Sequence, residues 1–184
     1  MKKYLMTLAA VLCCAMTTSV LTACGGDDDN GNSSKSDTTT PKKVELTFYY
    51  HNTADMIKYC NVELAYDDGK GNKESVTLTE NMGKDALAVG IIRKSDLPVT
   101  FKFTRKVTMK QDVGSSEKVE YTKDKYYIYT LYNAEGKKLN SYGSTQSVSS
   151  KPTSGANFVE NVNNGKLDYE VTLTFNAKGE LVAN

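Results

Sequence analysis

Between Val44 and Tyr50 the chain alternates, with Val44, Leu46, Phe48 and Tyr50 on one parity and Glu45, Thr47 and Tyr49 on the other. A period of two sends successive side chains to opposite faces and is the pattern of a strand with one buried side. The pattern recurs along the chain. Cys60, Val62, Leu64 and Tyr66 form one face of a second strand, Val76 and Leu78 mark a short third, and Leu87, Val89 and Ile91 a fourth. Pro98 opens a fifth, at a strand start where a missing amide hydrogen is tolerated. There Val99, Phe101, Phe103, Val107 and Met109 share a parity with Arg105, against Thr100, Lys102, Thr104, Lys106, Thr108 and Lys110. A one-residue slip would exchange core for solvent. Lys125–Tyr132 is apolar and aromatic on both parities, Tyr127, Tyr129 and Leu131 against Tyr126, Ile128 and Tyr132, and is expected inside a sheet. Tyr169, Val171, Leu173 and Phe175 make a late strand, with Asn176–Gly179 turning towards Leu181 and Val182.

The connections are short. Asp67–Asn72 and Asn133–Gly136 carry the Gly, Asn and Asp that hairpin turns need. No long amphipathic helix is written into the chain; Asn157–Val162 is expected to make a single turn. Helices alternating with strands, the mark of a parallel α/β sheet, are absent. Seven or eight short antiparallel strands predict an all-β, two-sheet sandwich of the immunoglobulin, fibronectin or transthyretin type, with a small closed barrel as the alternative. Ser141–Gly155, rich in Ser, Thr, Gly and Gln and containing Pro152, reads as a long mobile loop.

The first residues carry a different pattern. Lys2 and Lys3 precede an uncharged, largely apolar stretch from Tyr4 to Val20, and Leu21-Thr22-Ala23-Cys24 is followed by Gly25-Gly26-Asp27-Asp28-Asp29. This is the layout of a secretory signal with small residues before a cysteine. It resembles the type II signal peptide and lipobox of bacterial lipoproteins, and the acidic run after the cysteine is similar to that of Bacteroidota outer-membrane lipoproteins. The resemblance implies cleavage before Cys24, acylation of Cys24, anchoring in outer-membrane lipid and display at the cell surface, with the periplasmic face as the alternative. Several acyl chains on one cysteine would hold durably where a single chain is marginal. The organisation expected is a signal peptide at 1–23, a flexible tether at 24–41 whose polar residues cannot offset the entropy of ordering, and one domain at 42–184.

Loss of Lys2 and Lys3 turns the formal charge of +1 into −1, a near-neutral balance that predicts no general attraction to nucleic acid. Of four cysteines, Cys13 and Cys14 leave with the signal and Cys24 is acylated, so Cys60 is left as a single thiol without an intrachain disulfide partner. With His51 the only histidine, no histidine cluster for a catalytic metal can be assembled and no cofactor is expected. A Cys60–His51 nucleophilic pair is disfavoured because Cys60 lies on the apolar parity of its strand. Asp67, Asp68 and Asn72 bring oxygen ligands into one Gly-rich loop, but their spacing fits a hairpin turn better than the calcium loop of helix-loop-helix proteins. The P-loop, Rossmann and Gly-x-Ser-x-Gly patterns are missing, so no motif-defined enzyme class is indicated.

Two features suggest a ligand surface. Lys102, Lys106 and Lys110 stand on the polar parity of one strand, a basic ribbon suited to an anionic polysaccharide, and twelve tyrosines could stack on sugars although tryptophan is absent. The expectation is a lipid-anchored, non-enzymatic binding, adhesion or accessory module for glycan or protein. The alternatives are an envelope assembly protein working by strand addition and, more remotely, a polysaccharide-active enzyme.

Overall fold

The computed structural model describes residues 38–67, 69–143 and 147–182. The signal peptide, Cys24, most of the tether and Asp68 lie outside the described residues. Residues 38–41, assigned above to the tether, are tied to the domain: Asn133 Nδ2 donates to Thr38 O at 3.1 Å, and Pro41 packs beside Gly179.

The alternating segments become strands in the expected places. β1 is Lys43–His51, β2 Cys60–Asp67, β3 Lys73–Leu78, β4 Ala88–Asp96, β5 Val99–Met109, β6 Lys118–Tyr121, β7 Lys125–Tyr132, β8 Lys138–Gly143, β9 Lys151–Ser154, β10 Tyr169–Phe175 and β11 Leu181–Val182. They form a four-stranded sheet, β4-β1-β7-β8, a five-stranded sheet, β11-β10-β5-β2-β3, and a small β6-β9 pair, all antiparallel. The two large sheets are open, so the fold is the all-β sandwich and the closed barrel is set aside. β7 lies between β1 and β8, inside a sheet as its two-sided apolar pattern predicts.

The core is the shared inner face. Phe48 stacks on Phe103 across the sandwich with ring centres 4.4 Å apart, Tyr129 meets Phe175 edge-on at 4.8 Å, and Val44, Leu46, Val62, Leu64 and Phe101 are fully buried around them. Burying one such side chain contributes roughly 1.5–3 kcal/mol, which is why the parity of these strands is fixed.

The helical content exceeds the sequence expectation. α1, Ala54–Tyr59, starts at Thr53, whose hydroxyl accepts from Met56 N at 3.1 Å, and buries Met56, Ile57 and Tyr59. A short 3-10 segment covers Glu80–Ala86. α2, Gly155–Asn163, contains the turn expected at Asn157–Val162 and extends it; Phe158 and Val162, four residues apart, face the core. Ser141–Gly155 is not one loop: its start completes β8 and its end is β9, paired with β6 through Lys118↔Ser154 and Glu120↔Pro152.

Candidate functional site: an open edge lined with tyrosine

The strand registers explain where the sandwich opens. β11 pairs only with Thr174 and Phe175, leaving Tyr169–Leu173 of β10 without an outer neighbour among the described residues. Opposite it, β8 reaches β7 at Gly143↔Ile128 and the described strand stops there, short of Lys125–Tyr127. Among the described residues, neither sheet has an edge strand at this end. Side chains that would otherwise be sealed inside, Tyr127 and Tyr129 on one sheet and Val171 on the other, line a groove of about 440 Å³ with Phe48, Tyr142 and Leu181.

The wall is aromatic. Tyr142 stacks on Tyr129 with centres 5.0 Å apart and is still 45 % exposed. Burial and the neighbouring Tyr142 and Tyr127 raise the Tyr129 phenol pKa, so its hydroxyl stays a neutral donor. Gly143 shapes the rim: its φ is +123°, and a Cβ there would lie 2.6 Å from Tyr127 O. A side chain at this position would push β8 off β7.

Lys125 closes one end of the groove. Its register partner is Tyr50, an inward residue, so Lys125 continues the inward series of Leu131, Tyr129 and Tyr127. Its Nζ sits 4.6 Å from the centre of the Tyr169 ring, and it forms no ion pair with a described residue. Burial, then the charge of Arg105, holds its ammonium below the ordinary lysine range, with Asp124 opposing.

Arg105 is the residue that the parity of β5 placed on the core face, and it is 1 % exposed. Its guanidinium donates to His51 O at 2.7 Å, Thr122 O at 3.0 Å, Leu167 O at 2.9 and 3.0 Å and Asn52 Oδ1 at 3.3 Å, and lies 4.6 Å from the Tyr169 ring centre. These acceptors are neutral. The arginine gathers the end of β1, the β6–β7 connection and the approach to β10 into one knot. Desolvation lowers its pKa, and Tyr169, Asp168 and Asp124 act against that.

The lysines expected to form a basic ribbon are not a free patch. Lys106 Nζ is 3.0 Å from Asp168 Oδ2, and Lys110 Nζ is 3.1 Å from Glu80 Oε1 and donates to Ile57 O at 2.7 Å. Lys102 lines a separate depression of about 140 Å³ with Tyr66, Asp67, Lys73 and Glu170. The outer face of the five-stranded sheet is thus of mixed charge, its carboxylates contributed by elements distant in sequence.

Cys60 is fully buried, its thiol pushed up to about 12 by burial and its Sγ 3.8 Å from Met109 Sδ. His51 stacks on Tyr126, and burial lowers its pKa. The geometry does not bring Cys60 and His51 together by any hydrogen bond among the described residues. Asp67 Oδ1 accepts from Gly69 N at 2.8 Å and Gly71 N at 3.2 Å, which is the work of a turn cap. Among the described residues no three His, Cys, Asp or Glu side chains come together as a set of metal ligands.

Lys125 and the groove were the residues sequence reasoning passed over. Their signal was present: a lysine on the parity of Tyr127, Tyr129 and Leu131, next to the long polar stretch that follows Gly143. The chain matches no family model, no curated protein and no solved structure.

Proposed function

We propose that the domain is a non-enzymatic glycan-binding module, carried on a tether from a lipid-anchored Cys24 at the cell surface. The observation behind this reading is the tyrosine-walled groove at the open edge, about 440 Å³ in volume and within the range of small-ligand sites. Aromatic faces take up the apolar faces of sugar rings while phenol hydroxyls supply hydrogen bonds at the rim. The anchor is supported by the lipobox-like sequence alone. A binding rather than catalytic role is favoured by the chemistry of the nucleophile candidates, since a thiol raised to about 12 is protonated at neutral pH.

Strand addition to an envelope complex is the second reading; the edge it would use is Tyr169–Leu173 of β10, which has no outer neighbour among the described residues, and the β4 edge is unsuited to it. The β4 edge carries charged Arg93, Lys94 and Asp96, and its central carbonyl, Ile92 O, already accepts from Arg93 Nη1 at 2.7 Å. Such features blunt an edge against pairing.

Two experiments test the proposal. Retention of the protein on a panel of immobilised polysaccharides is expected, with loss of retention in Tyr142→Ala; failure of every polysaccharide removes the glycan reading. Protease shaving of intact cells, with a periplasmic protein as control, is expected to remove the domain and spare the control, whereas protection of both would place the domain inside the envelope. Cys24→Ala is expected to leave an uncleaved, unacylated precursor.

A further inference from the structure

We infer that the ligand of the groove is an acidic glycan, an oligosaccharide bearing uronic acid, whose carboxylate is received by Lys125 while its ring lies along the tyrosine wall. The inference rests on the glycan reading above and names the class of sugar.

The argument starts from unequal treatment of cations. Six described cations have a carboxylate partner, among them Arg93 with Glu74 at 3.0 Å, Lys106 with Asp168 at 3.0 Å and Lys110 with Glu80 at 3.1 Å, while others such as Lys102, Lys118 and Lys123 have no ion pair with a described residue but stand exposed to water. Lys125 is half-buried, on the inward parity of its strand, and among the described residues its ammonium has only the face of Tyr169. A partly desolvated cation without a carboxylate partner loses some of its hydration, and an anion entering the groove would restore a charged acceptor to it.

The surroundings add to the deficit. Arg105 lies 4.6 Å from the same Tyr169 ring, and its hydrogen bonds all go to neutral oxygens. Two cations thus share one aromatic ring, and Lys123 adds a third positive charge acting on Lys125. Two carboxylates act on this end. Asp168 is paired with Lys106 and accepts from Val107 N at 2.8 Å, whereas Asp124 is hydrogen-bonded only by neutral donors among the described residues, Ser149 N at 2.6 Å being one, and its charge offsets part of the positive charge. Lys125, Arg105 and Lys123 still outnumber the one carboxylate left without a cation, so the balance at this end of the groove is positive and complementary to an anion.

A uronic acid matches both parts of the site. Its carboxylate projects from the rim of a pyranose ring, so a sugar stacked beside Tyr142 and Tyr129 presents one negative charge at its edge to one ammonium. A single lysine answers the single charge of each such sugar. An anionic lipid would satisfy Lys125 as well, but a wall of phenols with Tyr142 45 % exposed suits a hydrated ligand better than an acyl chain.

The test uses the full chain purified in detergent and two probes: galacturonan oligosaccharides, and the same oligosaccharides after reduction of their carboxyl groups to alcohols. Titration calorimetry is expected to give binding of the acidic probe, weakened roughly tenfold or more by carboxyl reduction and by Lys125→Met, the size expected for a charge-assisted hydrogen bond. The two losses should not add, because both remove the same contact. Lys125→Met keeps an apolar stem over Tyr169, and circular dichroism checks its fold. Independently of any variant, the wild-type affinity for the acidic probe should fall as salt rises. Equal affinity for both probes, or no salt dependence, would overturn the acidic inference and leave the glycan reading standing. Binding of neither probe would overturn the acidic inference while the polysaccharide panel above decides the glycan reading, and displacement of the acidic probe by laurate would reassign the groove to lipid.

Discussion

The two lateral edges of the sandwich carry the same ingredients and use them in opposite ways. At the β4/β3 edge an inward-facing cation, Arg93, reaches across the sheets to Glu74 at 3.0 Å and lies 4.1 Å from the centre of the Tyr66 ring. That edge is clasped shut. At the β8/β10 edge the inward cation is Lys125, also set on a tyrosine ring, but no carboxylate of the facing sheet meets it. One edge spends its charge on closing the fold, and the other leaves a half-buried charge and a row of rings with no strand over them among the described residues. The difference shows that a cation on the inner parity of a strand gains its meaning from the element opposite, and that the short pairing of β11 is what opens the site.

The largest expected effect comes from the knot behind the open edge. Arg105→Met removes the donor for three backbone carbonyls and Asn52 Oδ1, each costly to leave buried and unpaired, and should lower stability by about 3–5 kcal/mol. Urea unfolding should show a lower midpoint at unchanged slope; a shift below about 1 kcal/mol would mean that the knot does not hold this end together.

Next in size is the wall of the groove. Tyr142→Ala should reduce retention on acidic polysaccharide about tenfold or more while changing stability by less than about 1 kcal/mol, because the ring is half-exposed. Tyr66→Ala, at the closed edge, should do the reverse, costing about 3–5 kcal/mol of stability for a buried ring with little effect on binding. If both variants lost binding equally, the distinction between the edges would collapse.

Opening the closed edge is a smaller change. The Arg93 side chain is mostly covered but Glu74 is half-exposed, so Arg93→Met should cost only about 1 kcal/mol for the screened ion pair and the ring contact together. The thermal midpoint measures this. A loss of several kcal/mol would show that the clasp, not the core, decides stability.

The pH response is expected to come from His51. Burial lowers its pKa, the charge of Arg105 acts in the same direction, and Asp124 opposes them. Below the ordinary histidine value of about 6.5 the unfolded chain binds a proton that the folded chain does not. Its contribution is therefore complete above that pH and is lost as pH falls from there through the folded pKa. Thermal midpoints measured across this range should decline for the wild type, and the decline should flatten in His51→Phe. The smallest effect belongs to Lys102→Ala, which should leave both stability and glycan retention within about 0.5 kcal/mol of the parent.

Much of this architecture was legible in the chain. Val44–Tyr50, Cys60–Tyr66, Val99–Met109 and Tyr169–Phe175 could be placed by parity because burial of one face leaves a period of two no alternative. β6 and β9 were not, since each is four residues long, mostly polar, and made a strand only by the other. α1 escaped because six residues carry less than two turns of periodicity, and Thr53 as its cap is one threonine among many.

The site was harder for a related reason. Parity showed Lys102, Lys106 and Lys110 on one face, yet the carboxylates that neutralise two of them, Asp168 and Glu80, arrive from other elements. Lys125 lay in plain view on the inner parity of β7. Its importance depends on where β8 and β11 stop, and strand ends are set by tertiary pairing rather than by local pattern.

The central claim is that the open edge receives the ligand, and NMR of the full chain with its tyrosine rings and lysine Nζ groups resolved tests it most directly. On titration with galacturonan oligosaccharides, shifts should concentrate on Tyr127, Tyr129, Tyr142 and Lys125. Shifts centred instead on Lys102 and Tyr66, or an unchanged spectrum, would contradict the account.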